Sequence, residues 1–126
     1  PRTMVASDGG IFMPNEDVPH PRNYGSFSRV LGRYVRERGV LDFATAVHKM
    51  TRMPADRIGL TERGRIDVGA VADIAVIDPQ EVIDKATFAD PHQLSTGAHH
   101  VFVNGEAVLL NGEMTGARPG RVLRHQ

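Results

Sequence analysis

The 126-residue sequence contains no cysteine and no tryptophan, and only two Tyr and five Phe. The absence of cysteine excludes disulfides and thiolate metal ligands from this segment and fits a reducing, cytoplasmic setting. Fifteen Lys and Arg balance fifteen Asp and Glu. With no block of like charge along the chain, there is no electrostatic footprint for a nucleic acid or an anionic membrane surface. No apolar run approaches the roughly 20 residues that cross a bilayer, and Pro1-Arg2-Thr3-Met4 does not open a secretory signal. What is present, 40% hydrophobic and 24% charged residues, is the composition of an ordinary globular domain with enough apolar side chain for one core.

The chain opens on a short apolar run, Met4-Val5-Ala6, that leads directly into Ser7-Asp8-Gly9-Gly10. A strand starting so close to a terminus commonly has neighbours upstream, so the chain is expected to be a piece of a longer polypeptide. Residues 9–25 carry Pro14, Pro19 and Pro21 together with Gly9, Gly10 and Gly25. That density of backbone breakers predicts a long surface loop, a feature usually kept for function. Ser26 fits an N-cap for a helix whose apolar stripe is Phe27, Val30, Leu31, Tyr34 and Val35, with Gly39 placed to end it. Asp42 can cap a second helix with Phe43, Ala46, Val47 and Met50 on its apolar face, and Pro54 predicts a break before a short helical turn ending at Gly59.

From about residue 61 the period becomes that of strands. Arg65-Ile66-Asp67-Val68, a turn at Gly69, and Ala72 to Asp78 closed by Pro79 read as two strands. His99 to Val103 and Glu106 to Leu110 flank Asn104-Gly105, and Asn111-Gly112 follows, which predicts one or two hairpins with two-residue type I′ turns. The tail Arg118 to Arg124 reads as basic and extended.

Three segments resemble the N-acyl-D-amino-acid deacylase (D-aminoacylase) family of amidohydrolases. They are Ser7-Asp8-Gly9 with the run from His20 to Val35; Lys49 to Leu60 joined to Gly64-Arg65-Ile66-Asp67-Val68-Gly69-Ala70-Val71-Ala72-Asp73-Ile74; and Val101 to Gly105 with Thr115 to Arg121. The second stretch is common to many amidohydrolases, whereas the His20 to Val35 run is specific to this family. The resemblance implies an α+β piece of a larger α/β protein: the last strand (residues 4–8) and closing helices (residues 26–58) of a (β/α)₈ barrel, followed by the C-terminal strands of a small β-sandwich. It divides the chain into residues 1–60, from the barrel, and residues 61–126, from the sandwich, with the remainder of the barrel supplied by upstream polypeptide.

By the residues alone, an Asp ahead of Gly-Gly reads first as a turn residue and Arg22 as a solvated surface arginine. The resemblance implies more. Asp8 becomes the catalytic aspartate, close to the metal, taking a proton from the metal-bound water and returning it to the departing amine. Arg22, in the loop over the barrel mouth, becomes the substrate-binding residue that holds the free carboxylate of an N-acyl-D-amino acid. Zinc belongs to the full-length family. No metal site is expected in this chain, since the family's ligands would lie upstream and a lone aspartate cannot hold zinc. The segment by itself is therefore expected to be inactive. His20 can neighbour the site. His99 and His100 alternate across a predicted strand, and His48, His92 and His125 lack spaced partners, so none is assigned to a metal. A dihydropyrimidinase-like cyclic amidohydrolase and a non-catalytic β-rich assembly module are the competing readings.

Overall fold

A computed structural model describes residues 3–13 and 17–124 of the chain. Pro14 and His125, which entered the expectations above, lie outside the described residues. The chain divides into two compact units, each drawn from separated stretches of sequence: residues 5–46 with 78–97, and residues 3–4 with 47–77 and 98–124.

In the first unit, helix α1 (Arg22–Arg29) continues without a break into a π-helical segment, Val30–Glu37. The helix therefore starts four residues before the expected Ser26. Pro21 stands at the N-cap, with its φ of −52° already helical, and a proline ahead of the first turn removes no helical hydrogen bond. Ser26 lies inside the helix, where its hydroxyl donates back to the Arg22 carbonyl at 2.9 Å. Arg22 is thus a helical residue and not part of an irregular loop. The expected stop at Gly39 is present: its φ is +57° and its N–H donates to the Val35 carbonyl at 3.0 Å.

Arg36 ties the π segment to the second stretch of this unit, donating to the carbonyls of Pro79 at 3.0 Å and Val82 at 2.8 Å. Gly32 makes the approach of these stretches feasible. A Cβ there would lie 2.5 Å from the Val82 carbonyl oxygen and 2.4 Å from Cδ1 of Ile83. Leu31, Ala46, Val82 and Ala86 are the buried apolar residues of this unit.

Helix α2 (Phe43–Met50) is capped as expected by Asp42, whose carboxylate accepts from the Thr45 amide at 2.8 Å and from the Thr45 hydroxyl at 2.6 Å. Helix α3 (Arg52–Arg57) follows after a sharp turn at Thr51. The break thus falls ahead of Pro54, as expected, but the helix starts two residues before the proline, which occupies its first turn where no N–H is required.

The sheet of the second unit is a four-stranded antiparallel meander, β1 (Ile74–Ile77), β2 (Ala98–Val103), β3 (Glu106–Leu110) and β4 (Glu113–Met114), in that order. Ile74 pairs with Phe102, Val101 with Leu109, and Leu110 with Glu113. Both Asn-Gly dipeptides turn as expected: Asn104 and Gly105 have φ of 49° and 82°, Asn111 and Gly112 of 51° and 81°. Asp73 binds the first of these turns, accepting the Asn104 N–H at 2.8 Å and pairing with Arg63. Arg63 in turn reaches the Asn104 side chain at 3.2 Å, and the Asn104 amide donates to the Pro119 carbonyl at 2.6 Å.

Two expected strands are not formed. Residues 65–68 are irregular, with Ile66 and Val68 fully exposed, because alternation alone gives a strand nothing to pair with. Residues 4–8 likewise run as irregular backbone, and no partner strand for them exists among the described residues. The turn at Gly69 is present, with the Ala70 N–H bonded to the Asp67 carbonyl at 3.1 Å.

Candidate active site

The polar cluster that the sequence singled out lies in the first unit. Asp8 has φ of +49°, a left-handed conformation uncommon for a residue with a side chain. The backbone after it is held from two directions. The Gly9 N–H donates to the Ser7 hydroxyl at 3.2 Å, and the Gly10 N–H donates to the Asn23 Oδ1 at 3.2 Å. Asn23 is the second residue of α1. Its neighbour Arg22, the first, puts Nη2 3.0 Å from Asp8 Oδ2. The opening turn of one helix therefore grips both the carboxylate of Asp8 and the backbone two residues beyond it.

Arg22 is itself fixed from below. Its N–H, one of the donors that a helix start leaves unpaired, donates to His20 Nδ1 at 3.0 Å. The His20 ring meets Phe88 edge-on, centroids 4.9 Å apart with planes at 80°. A cleft of about 440 Å³ follows this face of the helix, with His20, Arg22, Arg29, Arg33, Asp84 and Phe88 among its lining residues. Arg29 is bonded to the largely buried Asp84 at 2.7 Å. That bond, ahead of the opposing cost of burial, raises the already high pKa of Arg29, so it stays cationic.

The far side of α1 is anchored through His92. Its Nε2 lies 2.9 Å from the Asp17 carbonyl, which can only accept, so Nε2 carries the proton. In the neutral ring Nδ1 then accepts, and the Tyr24 hydroxyl at 2.8 Å is the donor. Ser95 donates to the Tyr24 carbonyl at 3.0 Å. Asp17 is thus tied through His92 to the helix that bears Arg22.

Asp8 and Arg22, picked out separately in the sequence, are brought together, with His20 beside them. Asn23, Asp84, Phe88 and His92 were not foreseen as parts of this cluster. Asn23 sits inside the His20 to Val35 run, but Asp84, Phe88 and His92 lie more than fifty residues downstream and carry no motif. His99 and His100 are adjacent on β2, in the other unit, and His100 Nδ1 accepts the Asn111 N–H at 3.2 Å.

Residues 4–109 match the Amidohydrolase family, and the chain belongs to that family. It is 52% identical over 121 residues to an N-acyl-D-glutamate deacylase of Alcaligenes xylosoxydans xylosoxydans, covering 96% of this chain and 24% of the relative. It matches a crystal structure of D-aminoacylase with a TM-score of 0.84 and 46% identity, over 91% of this chain and 24% of that one. An N-acyl-D-glutamate deacylase from Bordetella bronchiseptica, complexed with zinc and a phosphonate that mimics the tetrahedral intermediate, matches with a TM-score of 0.84 and 48% identity, over 96% and 25%. The chain thus spans about a quarter of the length of its relatives.

Zinc in a protein takes about four convergent N, O or S donors. Around Asp8 the described residues supply one carboxylate, whose close partner is a guanidinium, and a histidine nitrogen already engaged by an N–H. These residues do not fit a zinc site.

Proposed function

We propose that the protein to which this chain belongs hydrolyses N-acyl-D-amino acids to a carboxylate and a D-amino acid. The observation that carries this reading is the 3.0 Å approach of Arg22, which lines a cleft, to the exposed carboxylate of Asp8. It sets a proton-transfer group beside a carboxylate-binding one. A guanidinium has five donors in a planar fork, so Arg22 can face Asp8 and still present N–H groups to the free carboxylate of a substrate. Asp8 then takes a proton from the attacking water and gives it to the nitrogen of the breaking C–N bond, so that the amine leaves neutral. The similarity to N-acyl-D-glutamate deacylases and D-aminoacylase supports the substrate class.

In this reading residues 1–60 are the active-site segment and closing helices of a (β/α)₈ barrel, whose last strand residues 4–8 would form only beside the upstream strands, and residues 61–126 belong to a β-sandwich. The rest of the barrel, and the zinc that these residues do not hold, come with the remainder of the polypeptide, so the 126-residue chain alone is inactive. The large exposed apolar side chains Ile11, Val18, Ile66 and Val68 are consistent with surfaces that further polypeptide covers. Among the described residues no helix is long and apolar enough to cross a membrane, and the lack of cysteine suits the cytoplasm. The test is an assay of the full-length protein for D-amino acid release from paired N-acyl-D- and N-acyl-L-amino acids. Release from the D series supports the reading; hydrolysis of neither series, with zinc supplied, removes it.

A further inference from the structure

His20 has no part in the proton chemistry or in holding the substrate carboxylate, yet it is built into the start of α1. Its side chain accepts the Arg22 N–H at 3.0 Å and its carbonyl accepts the Asn23 N–H at 3.0 Å, closing a turn around Pro21. Two of the N–H groups that the first turn of a helix leaves unpaired are thus satisfied by one residue. The first bond requires Nδ1 to be unprotonated, so in the neutral ring the proton is on Nε2. The edge-on contact with Phe88 fixes the ring from the downstream stretch of the same unit. His20 is therefore held by one part of the unit and itself holds the residue whose guanidinium reaches Asp8.

We propose that His20 is a positioning residue for Arg22: it sets the backbone of the first helical residue, and with it the direction in which the guanidinium enters the cleft. The proposal rests on the assignment of Arg22 to the substrate carboxylate. His20 touches neither the reacting atoms nor the substrate; its effect passes through Arg22, and belongs to substrate binding more than to turnover.

The chemistry of the contact supplies a discriminating substitution. An Asn side chain can place Oδ1 where Nδ1 of His20 stands, accepting the N–H two residues on as in an Asx turn, whereas Leu fills similar space and accepts nothing. In the full-length enzyme, His20→Leu is expected to raise KM for an N-acyl-D-amino acid by roughly 2- to 12-fold, the range set by one ordinary hydrogen bond, with kcat within about twofold. His20→Asn is expected to restore KM to near the parent value. In an Arg22→Ala background, His20→Leu should add nothing, because the residue through which it acts is gone.

A parent-like KM in the folded His20→Leu variant, or an equal additional loss in the Arg22→Ala background, would overturn the proposal. Failure of His20→Asn to restore KM would also overturn it, since the acceptor is then not what matters. Should Arg22→Ala itself leave KM unchanged, the fault lies with the assignment of Arg22. If His20→Leu does not fold, His20→Asn and His20→Gln carry the test. Asn restores the short-range acceptor and Gln is one methylene too long for it, so equal KM values for the two would contradict the proposal.

Discussion

Arg22 and Asp8 are fourteen positions apart in sequence and 3.0 Å apart in space, joined by an ion pair in which both side chains remain open to solvent. An exposed pair of this kind contributes little to stability. Its position says more than its energy does: it is made by the first residue of a helix and by an aspartate with a left-handed backbone, beside a cleft. Groups placed this way remain available to a ligand.

If Arg22 binds the substrate carboxylate, Arg22→Ala in the full-length enzyme should raise KM by roughly 10- to 150-fold, the span expected for hydrogen bonds to a charged group. Turnover at saturation should change far less, since uniform binding is what is lost. Arg22→Lys should recover only part of the affinity, because an ammonium cannot reproduce the planar fork. Steady-state kinetics on one N-acyl-D-amino acid decides it, and unchanged KM in Arg22→Ala refutes the assignment.

Gly32 sets two effects against each other. Replacing a helical glycine by alanine ordinarily stabilises by about 0.5–1 kcal/mol. Here the new methyl would lie 2.5 Å from a backbone carbonyl that cannot move independently of its chain, and overpacking costs about 1–3 kcal/mol. The collision should win, so Gly32→Ala is expected to lower the denaturation midpoint; a raised midpoint would show that the Val82 backbone yields freely.

Asp42 gives a pH-dependent prediction. The Thr45 hydroxyl and then the Thr45 amide hold its carboxyl below the ordinary carboxylate range. Because the folded pKa lies below the unfolded one, the contribution of this cap is complete above the unfolded value and fades as the pH falls through the folded one. Asp42→Asn keeps an acceptor for the cap but no titrating group. Its thermal stability should match the parent more closely in strong acid than near neutrality, and identical pH dependence in the two proteins would contradict the role given to Asp42.

Asp73 organises the first hairpin of the sheet, accepting the Asn104 N–H and pairing with Arg63. Removing it leaves a turn amide without its acceptor and a mostly buried guanidinium with only its bond to the Asn104 side chain, at a cost of about 1–3 kcal/mol. Asp73→Ala should therefore destabilise the unit containing the sheet, as hydrogen exchange at Phe102 to Ala107 would report. Exchange rates equal to the parent's would show that the Asn-Gly turn holds itself.

What could be read from the sequence was what is decided locally. Asn104-Gly105 and Asn111-Gly112 turn as their residue types require, Gly39 ends its helix, and Asp42 caps the next. Readings that treated a residue type as having only one use went astray. Ser26 is a good N-cap residue but bonds backward inside α1, and Pro21 opens the helix that it was taken to forbid. Residues 65–68 alternate like a strand but have no ladder to join. Asp8 and Arg22 were visible as separate residues through their motif. Their contact joins positions fourteen apart, and the Asp84 and Phe88 sides of the cleft depend on a return of the chain that no local pattern encodes.

In the proposed reaction Asp8 moves the proton. The most direct test is the turnover of a full-length, zinc-loaded Asp8→Asn variant, which keeps the shape of the side chain and removes its basicity. A fall in kcat of about 10²- to 10⁴-fold is expected, the range of general acid–base catalysis, with substrate still bound. Turnover near that of the parent would contradict it.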